Sequence, residues 1–214
     1  SLFNENCIDL TLFLNGLPMA TTEIKTDYTQ AVENAVYQYK KDRQPRVHGK
    51  NDPETLLAFP QGALVHFALS NSEVQMTTRL AGFDTVFLPF NQGNDGGAGN
   101  PPNPLGYATD YLWKEVWAPD SWLEILGRYL IPKRNDKKQL VNTIFPRYQQ
   151  LSVTRAVLAA VRCDGPGDTY LIQHSAGSGK TNSIAWTAHF LADLHDDNNQ
   201  KVFHTVIVVS DRTV

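Results

Sequence analysis

The chain has 214 residues, of which 42% are hydrophobic and 19% are charged, as in a globular protein with a hydrophobic core. The formal net charge of −3 excludes a generally basic nucleic-acid-binding surface, although it does not exclude a local basic patch. The two cysteines, Cys7 and Cys163, form no CxxC pattern, which argues against a disulfide scaffold or a cysteine zinc site. No apolar run approaches the ~18 residues of a membrane span, so no membrane partner is expected.

Short strands with alternating apolar residues are predicted for residues 1–90, and Asn15-Gly16 is a turn signal between two of them. A helix over Thr29–Lys41 interrupts these strands, because its apolar residues recur at helical spacing. Residues 91–106 are rich in Asn, Gly and Pro, which predicts a flexible surface loop without a function.

Residues 107–162 are predicted to be helical, and Gln149–Arg162 is the last helix of this region. A strand over Tyr170–Gln173, a glycine-rich loop, a helix to about Leu194 and a strand over Val202–Val209 follow. This order predicts a βαβ unit and the beginning of a parallel sheet.

Two carboxylates and a lysine flank the first turn. Glu23 and Lys25 are two residues apart on one strand and therefore share a face. A two-residue loop at Asn15-Gly16 would pair Asp9 with Thr22, whereas a three-residue loop or one bulge would pair Asp9 with Glu23 directly. We predict the direct pairing, because metal-assisted cleavage of a phosphodiester needs the two carboxylates together.

This set of residues suits metal-assisted cleavage of a phosphodiester. Asp9, Glu23 and a backbone carbonyl, that of Ile24, would hold Mg²⁺, a hard cation that prefers oxygen ligands. Lys25 would orient or deprotonate the attacking water and offset developing negative charge. The alternative is that Glu23 and Lys25 are solvated residues that protect an edge strand.

The end of the first predicted helix is basic, with Lys40, Lys41 and Arg43. These cations could contact DNA phosphates. The alternative is a solvated helix end, where cations are favoured by the helix dipole.

The most specific motif is His174–Thr181, which follows an apolar segment and opens a helix as a phosphate-binding loop does. Lys180 would reach the β- and γ-phosphates of ATP, and the Thr181 hydroxyl would ligate Mg²⁺. The predicted nucleotide-binding residues of the loop are Ser175, Ala176, Gly177, Ser178, Gly179, Lys180 and Thr181. The carboxylates after Thr181 lack the context that hydrolysis requires, so we expect only the phosphate-binding half of an ATPase and no ATPase activity from this chain.

The motifs together resemble the R subunit of type I restriction–modification enzymes. The similar stretches are Asp9–Lys25 with its Asn-Gly-Leu-Pro turn, Ala35–Arg43, Phe145–Gln150, and His174–Thr181 together with Val206–Arg212.

The resemblance implies an α/β fold. A PD-(D/E)xK nuclease-like domain, a mixed sheet with flanking helices, would occupy residues 1–140. The first βαβ of a RecA-like superfamily 2 helicase domain would occupy residues 141–214. Gln150 and Arg147 would contact adenine, and Tyr39 would take the Tyr position of a Q-x-x-x-Y motif whose Gln is replaced by Ala35.

The resemblance also implies Mg²⁺ and ATP as cofactors. The implied partners are double-stranded DNA and the methyltransferase and specificity subunits, in the prokaryotic cytoplasm. The implied enzyme is a type I site-specific deoxyribonuclease coupled to DNA translocation, of which this chain would be a truncated part with an incomplete motor. The alternative is an ATP- and DNA-binding module of a helicase-like protein without an active nuclease. A small-molecule kinase is disfavoured, because the phosphate loop begins only at His174.

Overall fold

A computed structural model describes residues 7–47 and 52–210 and divides the chain into two compact units, Ser1–Arg147 and Tyr148–Val214. The first unit contains a mixed five-stranded sheet in the order β1-β2-β3-β4-β5. Its strands are β1 (Leu10–Leu14), β2 (Leu17–Ile24), β3 (Val65–Leu69), β4 (Val74–Thr77) and β5 (Leu88–Pro89). β2 and β3 are parallel and all other neighbours are antiparallel, which confirms the predicted mixed sheet.

Helix α1 (Val32–Lys41) connects the parallel pair β2 and β3. It begins a little later than the predicted Thr29, because the backbone of Ala31 is extended, with φ −75° and ψ 168°. Val32 and Ala35 pack against Ala68 of β3, and every residue of β3 is buried. A parallel strand that is buried on both faces typically has a nearly continuous run of apolar residues.

An aromatic cluster forms the core beside Phe67, whose direction on β3 is opposite to that of Ala68. The ring of Phe67 lies edge-on to those of Phe90, Trp117 and Phe145, with centroid distances of 5.5, 5.6 and 6.1 Å. Edge-to-face pairs at these distances add to the stability gained from burial. The sheet is therefore held between α1 and this aromatic cluster.

The segment after residue 107 is only partly helical, which corrects the prediction. Two π-helical turns, Leu112–Val116 and Ile125–Tyr129, flank α2 (Pro119–Glu124). A hairpin of β6 (Ile131–Arg134) and β7 (Leu140–Ile144) follows where a helix was predicted.

Local chemistry explains this hairpin. Pro132 lacks the N–H that a helix interior needs, and the side chains of Asn135 and Gln139 bond across the turn at 3.0 Å. The β6–β7 hairpin belongs to the first compact unit, which extends to Arg147.

The loop over residues 91–106 has no regular helix or strand, but it is anchored rather than loosely held. The Asn100 amide donates to the Ser72 carbonyl at 2.8 Å and to the Asn91 side chain at 3.0 Å. Its oxygen accepts the Gln92 N–H at 2.8 Å, and Asn91 accepts the Val74 N–H at 2.8 Å. Asparagine side chains here make the backbone hydrogen bonds that a neighbouring strand would otherwise supply. They hold the loop in place, although its composition predicted flexibility.

The second unit contains α3 (Tyr148–Asp164) and α4 (Lys180–Ala192), which pack against each other and confirm the two predicted helices. The predicted strands over 170–173 and 202–209 are wrong for the described residues, because neither segment pairs with another. Leu171 and Val209 remain 93% and 89% exposed. In a doubly wound sheet, the strands that pair with a given strand often lie far away in the sequence. A local apolar pattern therefore does not show whether a pairing strand is present.

No helix in the described parts of the chain is long and apolar enough to cross a membrane. Asp211 and Arg212, the end of the last stretch that carries the resemblance, lie outside the described residues.

Three buried polar side chains connect α1 with the sheet. The Thr21 hydroxyl lies 2.9 Å from the Tyr39 hydroxyl and 2.7 Å from Nδ1 of His66. Burial lowers the pKa of His66 to about 3 and raises the pKa of Tyr39 far above its ordinary value. Both side chains are therefore neutral at physiological pH.

We expect the buried His66 to make the stability of the chain fall in acid. A histidine in the unfolded chain titrates near 6.5, so between that pH and about 3 the unfolded state binds an extra proton. Relative to neutral pH, the loss at about pH 5 is about 2 kcal/mol. Urea unfolding of the wild-type chain and His66→Gln checks this, because their difference in unfolding free energy should shrink by that amount at about pH 5. A constant difference would contradict the prediction.

Candidate metal and phosphate sites

The β1–β2 hairpin brings Asp9 opposite Glu23. Its two-residue turn places Asn15 and Gly16 at φ 49° and 81°, the left-handed conformation that such hairpins require. The register slips by one residue between Leu12 and Phe13, so that Leu10 pairs with Thr22. Extending this register by one residue beyond the end of the ladder places Asp9 opposite Glu23, and the Asp9 carboxylate is close enough to raise the pKa of Glu23. The two carboxylates therefore lie together as predicted, and the bulge rather than a three-residue loop brings this about.

The two carboxylates differ in their surroundings. Asp9 is exposed, and its Oδ2 accepts the Ile24 N–H at 2.8 Å. Glu23 is fully buried, and its Oε1 accepts Nε–H of Arg43 at 2.5 Å. The second oxygen of Glu23, Oε2, is buried without a hydrogen-bond partner. An unpaired buried carboxylate oxygen is costly unless a proton or a cation reaches it.

The charges around Glu23 favour a cation at this place. Burial raises the pKa of Glu23, the Arg43 guanidinium opposes that rise, and the neighbouring Asp9 carboxylate adds to it. Two close carboxylates repel each other when both are ionised. The donor set of Asp9, Glu23 and the Ile24 peptide consists of hard oxygens and fits Mg²⁺, which keeps several waters. In residues 7–47 and 52–210, no three His, Cys, Asp or Glu side chains gather around a metal site, so protein carboxylates would supply two of the ligands here.

Lys25 directly follows β2 and lies on its α1-facing side, as Glu23 does and as the two-residue period predicts. It borders an open polar cavity of about 310 Å³. The cavity is lined by Lys25, Gln30, Asn34, Tyr37, Gln38 and Asp42. Within the described part of the chain the Lys25 ammonium forms no ion pair, so its charge is available to a ligand in this cavity.

The structure places Tyr39 and Arg43 in the interior of the first unit. Tyr39 is completely buried and bonds Thr21, so its ring is not available for a contact with DNA. Arg43 is buried beside Glu23 rather than exposed to DNA phosphates or to solvent. One signal for Arg43 was present in the sequence, since it lies four residues after Tyr39 and so continues the inner side of the helix.

The phosphate loop of the second unit precedes α4 as predicted. Gly177 and Gly179 adopt φ of 73° and 80°, and α4 begins at Lys180. The Lys180 ammonium donates to the carbonyls of His174 and Ser175 at 3.1 and 3.0 Å. Thr181 is exposed in the first turn of α4. The helix start thus presents free N–H groups and a lysine at one place, which suits an anionic phosphate.

Gln150 is buried beside this loop and bonds it. Its amide nitrogen donates to the carbonyls of Ser178 and Gly179, both at 3.0 Å. Gly179 has φ 80°, a backbone conformation that favours glycine, and a Cβ there would also displace the Gln150 amide. The predicted adenine contacts of Gln150 and Arg147 stay predictions. Arg147 is the last residue of the first unit, whereas Gln150 belongs to the second.

Residues 3–85 match the model of the family described as type I restriction enzyme R protein N terminus. This region belongs to that family. The match includes Asp9, Glu23, Lys25 and Arg43, so the carboxylate pair lies within the R protein N terminus. No curated protein matches the chain. The mixed sheet with its flanking helices fits an α/β nuclease-like domain, and the resemblance to the R subunit is confirmed for this region.

Proposed function

We propose that the first unit is the Mg²⁺-dependent DNA endonuclease of a type I restriction enzyme. The observation that carries this proposal is the position of Asp9 opposite Glu23, whose Oε2 is buried and unpaired. Structural residues seldom leave a buried carboxylate oxygen in that condition, because the desolvation cost is not offset. A divalent cation bound there would offset it.

The residues of the chain have separate roles in this proposal. Asp9, Glu23 and the Ile24 carbonyl would hold the metal, because a hard cation prefers oxygen ligands. Bound Mg²⁺ supplies polarisation of a phosphoryl oxygen and lowers the pKa of a bound water. Lys25 faces the polar cavity, where its ammonium binds the phosphate and stabilises negative charge that develops during cleavage.

The second unit is proposed to begin the ATP-driven translocase, a RecA-like superfamily 2 motor. The support is the phosphate loop with its glycines at positive φ and Lys180 at the helix start. ATP would be held by Lys180 and the loop N–H groups, and Mg²⁺ by the Thr181 hydroxyl. Double-stranded DNA and the methyltransferase and specificity subunits are the proposed partners, in keeping with the restriction enzyme family of residues 3–85.

Removal of one carboxylate tests the metal site. Asp9→Asn keeps the shape of the side chain and its bond with Ile24 but removes the charge. We expect the affinity for Mn²⁺, measured by calorimetric titration of the chain with MnCl₂, to fall at least about tenfold, because carboxylate charge sets such affinities. In the complete restriction complex, the Mg²⁺ concentration needed for half-maximal cleavage should rise similarly.

Asp120→Asn is the control, since Asp120 is an exposed carboxylate at the start of α2. Its Mn²⁺ affinity should equal that of the wild-type chain. Wild-type affinity in Asp9→Asn would remove the proposed metal site, and with it the endonuclease assignment.

A further inference from the structure

Arg43 holds two segments of the candidate metal site at once. Its Nε–H donates to Oε1 of Glu23 at 2.5 Å, and Nη2 donates to the carbonyl of Cys7 at 2.6 Å. Cys7 precedes Asp9 by two residues, so the same guanidinium bonds one carboxylate directly and the segment that carries the other. Only 7% of Arg43 is exposed, which makes both hydrogen bonds strong by excluding water.

The segment that carries Asp9 needs this support, because it lies outside the strand ladder. The described pairing of β1 and β2 begins at Leu10, so Asp9 has no strand partner of its own. Among the described contacts of this segment, Asp9 accepts the Ile24 N–H, Cys7 accepts from Arg43, and Ile8 packs against the cluster of Tyr39, Leu57 and Leu80. A guanidinium is flat and rigid, so its two donors keep their spacing, unlike the single ammonium of a lysine.

The contact with Glu23 also selects which oxygen is left for a ligand. Because Arg43 occupies Oε1, the carboxylate cannot rotate freely and Oε2 remains as the unpaired atom next to Asp9. A carboxylate that binds a metal through one oxygen is commonly held in place by a hydrogen bond to its other oxygen. Residues that give such support strongly affect the affinity for the metal.

We infer that Arg43 is the positioning residue of the metal site: it presents Oε2 of Glu23 and holds the Asp9 segment beside it, without contacting DNA. This inference rests on the proposed function, because it concerns the same site. Arg43 therefore supports metal binding and takes no part in binding the phosphate.

Replacement by lysine separates positioning from charge. Arg43→Lys keeps the positive charge but loses the two-donor fork, so we expect Mn²⁺ affinity in calorimetric titration with MnCl₂ to fall about tenfold to a hundredfold. Arg79→Lys is the control, since Arg79 is an exposed arginine that also donates to a backbone carbonyl, that of Val141 at 2.8 Å, but forms no ion pair with a carboxylate among the described residues. Its Mn²⁺ affinity should be that of the wild-type chain, and circular dichroism should show both variants folded.

The outcomes distinguish this inference from the proposed function. A folded Arg43→Lys chain with wild-type Mn²⁺ affinity overturns the role of Arg43, even if its stability is lower. If Asp9→Asn also retains wild-type affinity, the metal site itself is wrong and both proposals fail. Weak binding by Arg43→Lys and Asp9→Asn, with normal binding by Arg79→Lys, supports both.

A measurement on the wild-type chain covers the case in which Arg43→Lys does not fold. The Nε–H of Arg43 donates to the carboxylate that would bind the metal, so its NMR resonance should shift during titration with MgCl₂. The shift should have the same midpoint as metal binding measured by calorimetry. An unchanged resonance at saturating MgCl₂ overturns the inference.

Discussion

Replacing Lys25 with methionine should lower the rate of DNA cleavage about a thousandfold, the middle of the range for a positioned group that transfers a proton or offsets charge. Methionine retains most of the length and volume of lysine, so the cavity lined by Gln38 and Asp42 should keep its shape. The rate is to be measured in the complete restriction complex with ATP and Mg²⁺. Mn²⁺ affinity should change little, because Lys25 is not a metal ligand.

The matched control is Lys114→Met, which removes an ammonium paired with Asp110 at 2.5 Å on a different segment. Cleavage by this variant should match the wild-type rate. If Lys25→Met also cleaves at the wild-type rate, the endonuclease assignment is wrong and the alternative of a DNA- and ATP-binding module without a nuclease gains support. Loss of cleavage with normal ATP hydrolysis would place the defect in the nuclease alone.

Replacing Lys180 with alanine should lower the affinity for MgATP about a hundredfold. In the structure the ammonium bonds the carbonyls of His174 and Ser175, and phosphate oxygens would replace these acceptors. Hydrogen bonds between charged groups contribute about 1.5–3 kcal/mol each, so loss of the ammonium should cost about 3 kcal/mol, which is about two powers of ten. Calorimetric titration of the chain with MgATP measures this.

Lys201→Ala is the control for this experiment, because Lys201 is an exposed lysine of the same unit outside the phosphate loop. It should bind MgATP as the wild-type chain does. Equal affinities for wild type and Lys180→Ala would show that the loop does not bind nucleotide. Such a result would leave the nuclease proposal untouched, because Asp9, Glu23 and Lys25 belong to the first unit.

The helices were the most predictable elements, since their signal is local. α1, α3 and α4 begin or end within a few residues of their predicted bounds. Elements that depend on partners were less predictable. The β6–β7 hairpin was assigned to helix, and the apolar segments at 170–173 and 202–209 were assigned to strands that have no pairing in the described residues.

The candidate metal site was only partly predictable. The two-residue period of a strand placed Glu23 and Lys25 on one face, and the need for paired carboxylates led to Asp9. Whether Asp9 faces Glu23 depended on a single bulged residue near Phe13, and local sequence does not determine such a bulge. The role of Arg43 was missed, because its spacing from Tyr39 shows only that it continues the inner side of the helix and does not show which carboxylate it bonds.

The sequence by itself determined the chemistry that is available: two carboxylates and a lysine at strand spacing, and a glycine-rich loop that ends in Lys180 and Thr181. Backbone preferences and periodicity are local, so these features can be read without knowledge of the fold. Only the tertiary structure decided how the groups are used. It buried Glu23, paired its Oε1 with Arg43 and left Oε2 unpaired beside Asp9. Burial and pairing depend on residues far apart in the chain, here Cys7, Glu23 and Arg43, and folding alone brings them together.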